Sequence, residues 1–160
     1  MPEIMLMRHA KSDHPTGLID RVRPLSRRGE RSAIAIGRAI TGFGAEPGVI
    51  LTSPARRAAD TAALARDGGG WSVPILEAEE LYGAGVSKVL DVLAEHATVN
   101  RMLIVGHEPT WSATVSTIID GGSIQMVTAA VACVETQLPA APGSGWLRWM
   151  LHPRLLMTNQ

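Results

Sequence analysis

The 160-residue chain is short of cysteine, lysine, aromatic residues and net charge, and each shortage excludes something. One cysteine, Cys133, allows no intramolecular disulfide, which fits a reducing compartment. It lies in the apolar run Ala129 to Val134, where a buried and inert thiol is expected. Fifteen basic side chains balance fifteen acidic ones. The basic surplus of a duplex-binding protein is therefore missing, and nucleic acid is not expected as a partner. Aromatic residues make up only 4%. Trp71, Trp111, Trp146 and Trp149 are not interleaved with basic residues as a base-stacking platform would be, so they read as core or pocket wall. No apolar stretch approaches the ~20 residues of a membrane span. The Met-Pro-Glu start, four apolar residues and Arg8 are too short and too acidic for a signal peptide. The expectation is a cytoplasmic protein with no membrane partner.

What the chain does have is an ordinary globular balance, 46% hydrophobic and 19% charged, suited to one domain over residues 1–160. Ile4 to Met7 is a short apolar run stopped by Arg8, the pattern of a buried parallel strand. Ser26 is placed to cap a helix whose buried face carries Ala33, Ile36, Gly37 and Ile40, and Gly42 and Gly44 end it. Val49 to Thr52 reads as a second strand, with Ser53-Pro54 expected as N-cap and first residue of the next helix. Gly68-Gly69-Gly70 closes that helix. Val73 to Leu76 suggests a short edge strand, and Val86, Val89, Leu90 and Leu93 a third amphipathic helix. Met102 to Val105 is a third core strand ended by Gly106-His107, with a helix starting near Pro109. Val127 to Leu138 and Trp146 to Leu151 complete the series as two strands joined by the turn from Pro139 to Gly145. Strands alternating with helices predict an α/β three-layer sandwich with a mostly parallel central sheet flanked by helices.

In such sheets ligands sit beyond the carboxyl ends of the parallel strands. The residues leaving those ends here are Arg8-His9, then Ser53-Pro54 with Arg56 and Arg57 in the following helical turn, then Gly106-His107. Two imidazoles and at least two guanidiniums would face one crevice, and that is an anion site. Apart from Lys11 and Lys88 every basic residue is arginine, whose fork matches phosphate oxygens bidentately. A neutral imidazole in line with a clamped phosphorus can attack it, and neighbouring arginines lower its pKa so that the neutral form is available. Its other ring nitrogen needs a backbone carbonyl to aim it. Each piece alone is commonplace. Their arrival together at successive strand ends is the signal.

The sequence resembles the histidine phosphatase superfamily in its phosphoglycerate-mutase-like branch, most closely the short SixA-type phosphohistidine phosphatases. The resemblance rests on Leu6-Met7-Arg8-His9-Ala10-Lys11-Ser12, Arg23-Pro24-Leu25-Ser26, Ser53-Pro54-Ala55-Arg56-Arg57-Ala58 with Thr61, Leu81-Tyr82-Gly83 and Val105-Gly106-His107. Alanine at position 10 stands where the family usually has glycine. The resemblance implies a phosphoglycerate-mutase-like fold, a phosphate carried covalently on His9, and a pocket completed by Arg8, Arg57 and His107. It favours Arg57 over Arg56, since Arg57 precedes an alanine and lies four residues before Thr61; Arg56 has Asp60 at i+4 for a surface pair. Glu80, next to Glu79, is the candidate general acid, with a solvated loop glutamate as the plain alternative. If the leaving group is itself an imidazole, little acid help is needed.

The expected activity is that of a metal-independent phosphoric monoester or phosphoramidate hydrolase with no cofactor, acting on a phosphorylated protein or a small phosphorylated substrate. Protein phosphohistidine leads. The alternatives are a phosphatase of a sugar or nucleotide phosphate, or a phosphate-binding signalling module without catalysis. Ser12 and Arg23 are candidate substrate-binding residues beside the nucleophile, with Arg23 on the rim. The other arginines of the cluster Arg21, Arg27, Arg28 and Arg31 are expected to be solvated. His14 and His96 have no partner at metal-ligand spacing, so no bound metal is expected. His152 reads as structural. No heptad or exposed apolar helix announces an oligomer.

Overall fold

The computed structural model describes residues 1–157. Its frame is a mixed six-stranded sheet in the order β3-β2-β4-β1-β5-β6. The strands are β1 (Glu3–Arg8), β2 (Val49–Thr52), β3 (Ile75–Glu77), β4 (Arg101–Gly106), β5 (Val131–Thr136) and β6 (Gly145–Leu151). The first four run parallel, whereas β5 pairs antiparallel with both β1 and β6. The central strand β1 is buried on both faces, and its side chains alternate between two cores. Met5 and Met7 join one core with Ile50, Leu103 and Val105. Ile4 and Leu6 join the other with Leu51, Met102 and Ile104. This period-two division is what a sheet covered on both sides requires.

The first core is closed by α1 (Arg27–Gly42) and α2 (Arg56–Gly69) through Ile36, Ile40, Ala58, Ala62 and Ala65. The second is closed by α3 (Val86–Ala94) and α4 (Thr110–Ile118) through Val89, Leu93, Trp111 and Val115. The Ser26 hydroxyl caps α1 by accepting from the Gly29 N–H, worth about 1 kcal/mol. Trp111 is fully buried and donates its ring N–H to the Ile104 carbonyl; replacing it by alanine costs about 3–5 kcal/mol. Gly106 makes room for that ring, because a Cβ there would lie 2.1 Å from it.

Three expectations need correction. Ser53-Pro54 does not open α2; the helix begins at Arg56 after Ala55, which leaves the Ser53 hydroxyl for other partners. The run from Val127 forms strand only from Val131, because residues 127–130 turn beneath Arg8 with Ala129 at positive φ. Trp146 is neither core nor pocket wall but 61% exposed on β6, while Trp71 and Trp111 are buried as expected. Cys133 is buried, and burial pushes its thiol up to about 12, which leaves it unreactive.

Candidate active site

The strand order sets β2, β4 and β1 side by side, and the three expected strand ends meet there. Arg8 pairs with Gly106, and Thr52 with Val105. His9 and His107 therefore leave the sheet one residue beyond a shared rung, and their ring centroids lie 5.4 Å apart. The backbone locks the position: the His9 N–H donates to the Gly106 carbonyl and the Ser53 N–H to the Val105 carbonyl.

His9 is buried, and its Nδ1 lies 2.8 Å from the Ala10 carbonyl. A carbonyl only accepts, so Nδ1 carries the proton and Nε2 keeps its lone pair. Burial, reinforced by His107, Arg57 and Arg8, brings its pKa down to about 3 against the pull of the Ala10 bond. His107 is brought down to about 4, again by burial first and then by Arg57. Arg57 Nη2 lies 3.4 Å from His107 Nδ1 and has only hydrogens to offer, so the proton sits on Nε2, which donates to Ser53 Oγ at 2.8 Å. Ser53 thus holds the second imidazole in place of capping a helix. Both rings are neutral at pH 7.

The guanidiniums are positioned as firmly. Arg8 donates from Nη1 to the Met126 carbonyl at 3.0 Å, while its buried Nε has no partner among the described residues. A buried charged donor left over in this way suits an incoming anion. Arg57 is buried in the first turn of α2 and reaches Asp20 twice, at its backbone oxygen (2.8 Å) and its carboxylate (3.1 Å). Thr61 ties the two sequence segments together: its hydroxyl accepts from the Ala10 N–H and donates to the Arg57 carbonyl. Arg56 faces outward and pairs with Asp60 at 3.4 Å.

Sequence reasoning missed Asp20. Its carboxylate accepts from Tyr82, Arg23 and Arg57, and the Tyr82 hydroxyl leads the effects that hold it down to about 2. The partners lie 37 and 62 residues away for Arg57 and Tyr82, so no local pattern could have announced them. Arg23 is turned inward from the expected rim. It donates to Ser12 Oγ at 2.5 Å, to the Asp13 carbonyl and to Asp20, with His14 Nε2 2.7 Å away. Ser12 is buried under it. Arg23 and Ser12 therefore shape segment 11–26, which directly follows the nucleophile loop at His9. Glu80 is exposed on the turn Glu79–Leu81, and its side chain makes no hydrogen bond or ion pair among the described residues. Its neighbour Glu79 grips Arg21. His152 is exposed and accepts from the Arg154 N–H, a local cap. Among the described residues no three His, Cys, Asp or Glu side chains converge as metal ligands, and no helix is long and apolar enough to cross a membrane.

Comparison with known proteins agrees with this geometry. The sequence model of the histidine phosphatase superfamily (branch 1) matches residues 4–84. A 108-residue stretch is 40% identical to an uncharacterized protein of Mycobacterium tuberculosis, covering 67% of this chain and 66%, just under two thirds, of that relative. Among solved structures, the protein histidine phosphatase SixA complexed with tungstate superposes with a TM-score of 0.87 at 23% identity, over 97% of this chain and 99% of that one. A protein of Agrobacterium tumefaciens assigned as the phosphohistidine phosphatase SixA gives 0.84 at 25% identity, over 96% and 99%. A protein of Escherichia coli K-12 assigned as an α-ribazole-5'-phosphate phosphatase gives 0.74 at 16% identity, over 95% and 97%, a likeness of fold alone. The chain belongs to the histidine phosphatase superfamily. Within it the chain is SixA-like, with the phosphoglycerate-mutase-like sandwich.

Proposed function

We propose that the protein is a metal-independent phosphatase that carries phosphate covalently on His9 and acts on phosphohistidine in proteins. One observation carries the reading. His9 is neutral, its Nδ1 is held by the Ala10 carbonyl, and no hydrogen bond among the described residues engages its Nε2. In this reading Arg8 and Arg57 grip the non-bridging oxygens of the substrate phosphoryl group, and His107 completes the pocket beside them, its Nδ1 accepting from Arg57 and its Nε2–H held by Ser53. Nε2 attacks phosphorus in line as the P–N bond of the substrate breaks. A phosphorylated imidazole protonated on its second nitrogen departs as neutral imidazole, so the enzyme need supply no proton. Water then attacks the phosphorus on His9, releasing phosphate and restoring the neutral ring. Charge on the transferring oxygens is stabilised by fixed guanidinium donors throughout.

The carboxylates favour such a leaving group. Asp20 stays ionised far below neutral pH and cannot act as an acid there. Glu80 stands in water, with no partner among the described residues that would hold it toward the crevice. A poor leaving group such as a sugar hydroxyl needs a proton donor with a pKa near the working pH. The similarity to SixA-type proteins supports the same substrate class.

The second reading, a small phosphate ester, draws on one feature. Arg21–Glu79 and Tyr82–Asp20 contacts join segment 13–25 to segment 79–82 across the mouth of the site and narrow it. A turnover panel without divalent metal separates the readings, using a protein phosphorylated on histidine, free phosphohistidine, a sugar phosphate, a nucleotide and an aryl phosphate. The highest kcat/KM is expected on the phosphoprotein, unchanged by chelator. A higher value on an ester selects the second reading, and a requirement for added metal overturns both.

A further inference from the structure

Among the described residues, eight of the fifteen basic side chains stand in ion pairs, and Arg8 lies at the nucleophile. Of the six that remain, five line one groove of about 1060 Å³: Lys11, Arg28, Arg31, Arg38 and Arg154. All five are exposed, and no Asp or Glu belongs to the lining. In a chain whose charges cancel overall, this is a strong local excess of one sign.

The groove has a direction. Arg28, Arg31 and Arg38 fall at i, i+3 and i+10, so they form one stripe along about 15 Å of α1. One end of the groove lies level with the active site, although Arg8, His9, Arg57 and His107 do not line it. Leu151 pairs with Val131 and Val131 with Met7, so the chain leaves β6 toward Arg154 level with Arg8. Lys11 follows His9 by two residues, and its backbone carbonyl accepts from the Ser26 N–H at the start of α1.

We propose that this groove docks an acidic segment of the phosphorylated protein, an inference that rests on the protein-substrate reading above. Charge complementarity selects the occupant. Five cations spread over such a length exceed what one phosphate group can contact, and a small ester in the crevice cannot span them all. Carboxylates three and four residues apart on a helix are spaced to meet the stripe. A partner inserting its phosphohistidine beside His9 would lay its neighbouring acidic surface along α1. Exposed charges at a rim act mainly on the rate of encounter and are screened by salt over about 8 Å at physiological ionic strength.

The test compares wild type with the Arg28→Glu/Arg31→Glu/Arg38→Glu variant on two substrates with the same P–N bond. One is an acidic protein phosphorylated on histidine with phosphoramidate; the other is free phosphohistidine, whose turnover also verifies that the variant is folded. On the phosphoprotein kcat/KM falls about tenfold or more in the variant, and its decline with added salt flattens. On free phosphohistidine it changes less than about twofold. If the variant loses both activities, Arg31→Gln/Arg38→Gln replaces it, with the same selective loss expected at smaller size. Equal kcat/KM of wild type and folded variant on the phosphoprotein overturns the docking groove and leaves the substrate reading intact. Wild type that hydrolyses free phosphohistidine but never the phosphoprotein overturns the substrate reading and the groove with it. Stronger inhibition of phosphoprotein turnover by a short DNA duplex than by polyglutamate overturns the acidic-protein assignment.

Discussion

In the crevice, Arg8, Arg23 and Arg57 are largely withdrawn from water, and each is tied to at least one protein oxygen. Along α1, Arg28, Arg31 and Arg38 stand in water with no carboxylate partner among the described residues. The residue type is the same and the physics differs. A buried, oriented guanidinium stabilises charge at one fixed point and is sensitive to its own geometry. An exposed one contributes to a diffuse field, is screened by salt, and tolerates conservative replacement. The crevice is therefore suited to chemistry and the groove to encounter.

The contrast can be broken or sharpened in order of expected effect. His9→Ala should lower kcat on every substrate by about a thousandfold or more, since the lone pair of the other ring in the crevice, His107, is taken up by Arg57; steady-state assays of that variant beside the groove variant would expose any overlap between the two regions. Arg57→Lys should cost about a hundredfold in kcat/KM, because lysine cannot make the fork, whereas Arg31→Lys should change it less than twofold on any substrate. Comparable losses at the two positions would erase the distinction.

Acid provides a third handle. In the fold His107 and His9 stay neutral down to about 4 and about 3, while in the unfolded chain they take up protons below about 6.5. Between those values the unfolded state binds more protons, so the stability these rings contribute is complete above about 6.5 and declines as the pH falls through 4 toward 3. Urea midpoints from pH 7 to pH 4 should drop less steeply for His9→Gln/His107→Gln than for wild type. Parallel slopes would mean that the rings are not buried as neutral groups.

A subtler change tests the link between Asp20 and Arg57. Asp20→Asn removes a negative charge beside an incoming phosphate, so the inhibition constant for inorganic phosphate should fall several-fold; a rise would indicate that Asp20 chiefly positions Arg57. Smaller again, Glu80→Gln should alter phosphohistidine turnover less than about threefold. A large loss there would return Glu80 to the role of general acid.

The sequence revealed those parts of the site that sit next to strands. Arg8-His9 and Gly106-His107 end apolar runs, and the parallel pairing of β1 with β4 makes such ends neighbours. Even the carbonyl that aims His9 was expected, because a chain leaving a strand exposes its own carbonyls. Partners chosen across the fold were illegible. Ser53 looked like a helix cap since Pro54 follows it, yet the tertiary position of His107 claims its hydroxyl. Arg23 read as a rim residue because its acceptors, spread over Ser12, Asp13 and Asp20, converge only once segment 11–26 has folded back. The arginines of α1 read as ordinary solvated charge. Their distinction is the lack of an acidic neighbour in space, which spacing along the chain does not encode.

The most direct test of the account traps the intermediate. Rapid acid-free quenching during turnover of a 32P-labelled phosphohistidine protein, followed by peptide mapping, should find an acid-labile, alkali-stable phosphate on His9 in wild type, rising to at most one per chain, and none in His9→Ala. Turnover that proceeds while His9 never carries label would contradict the claim that this imidazole is the nucleophile.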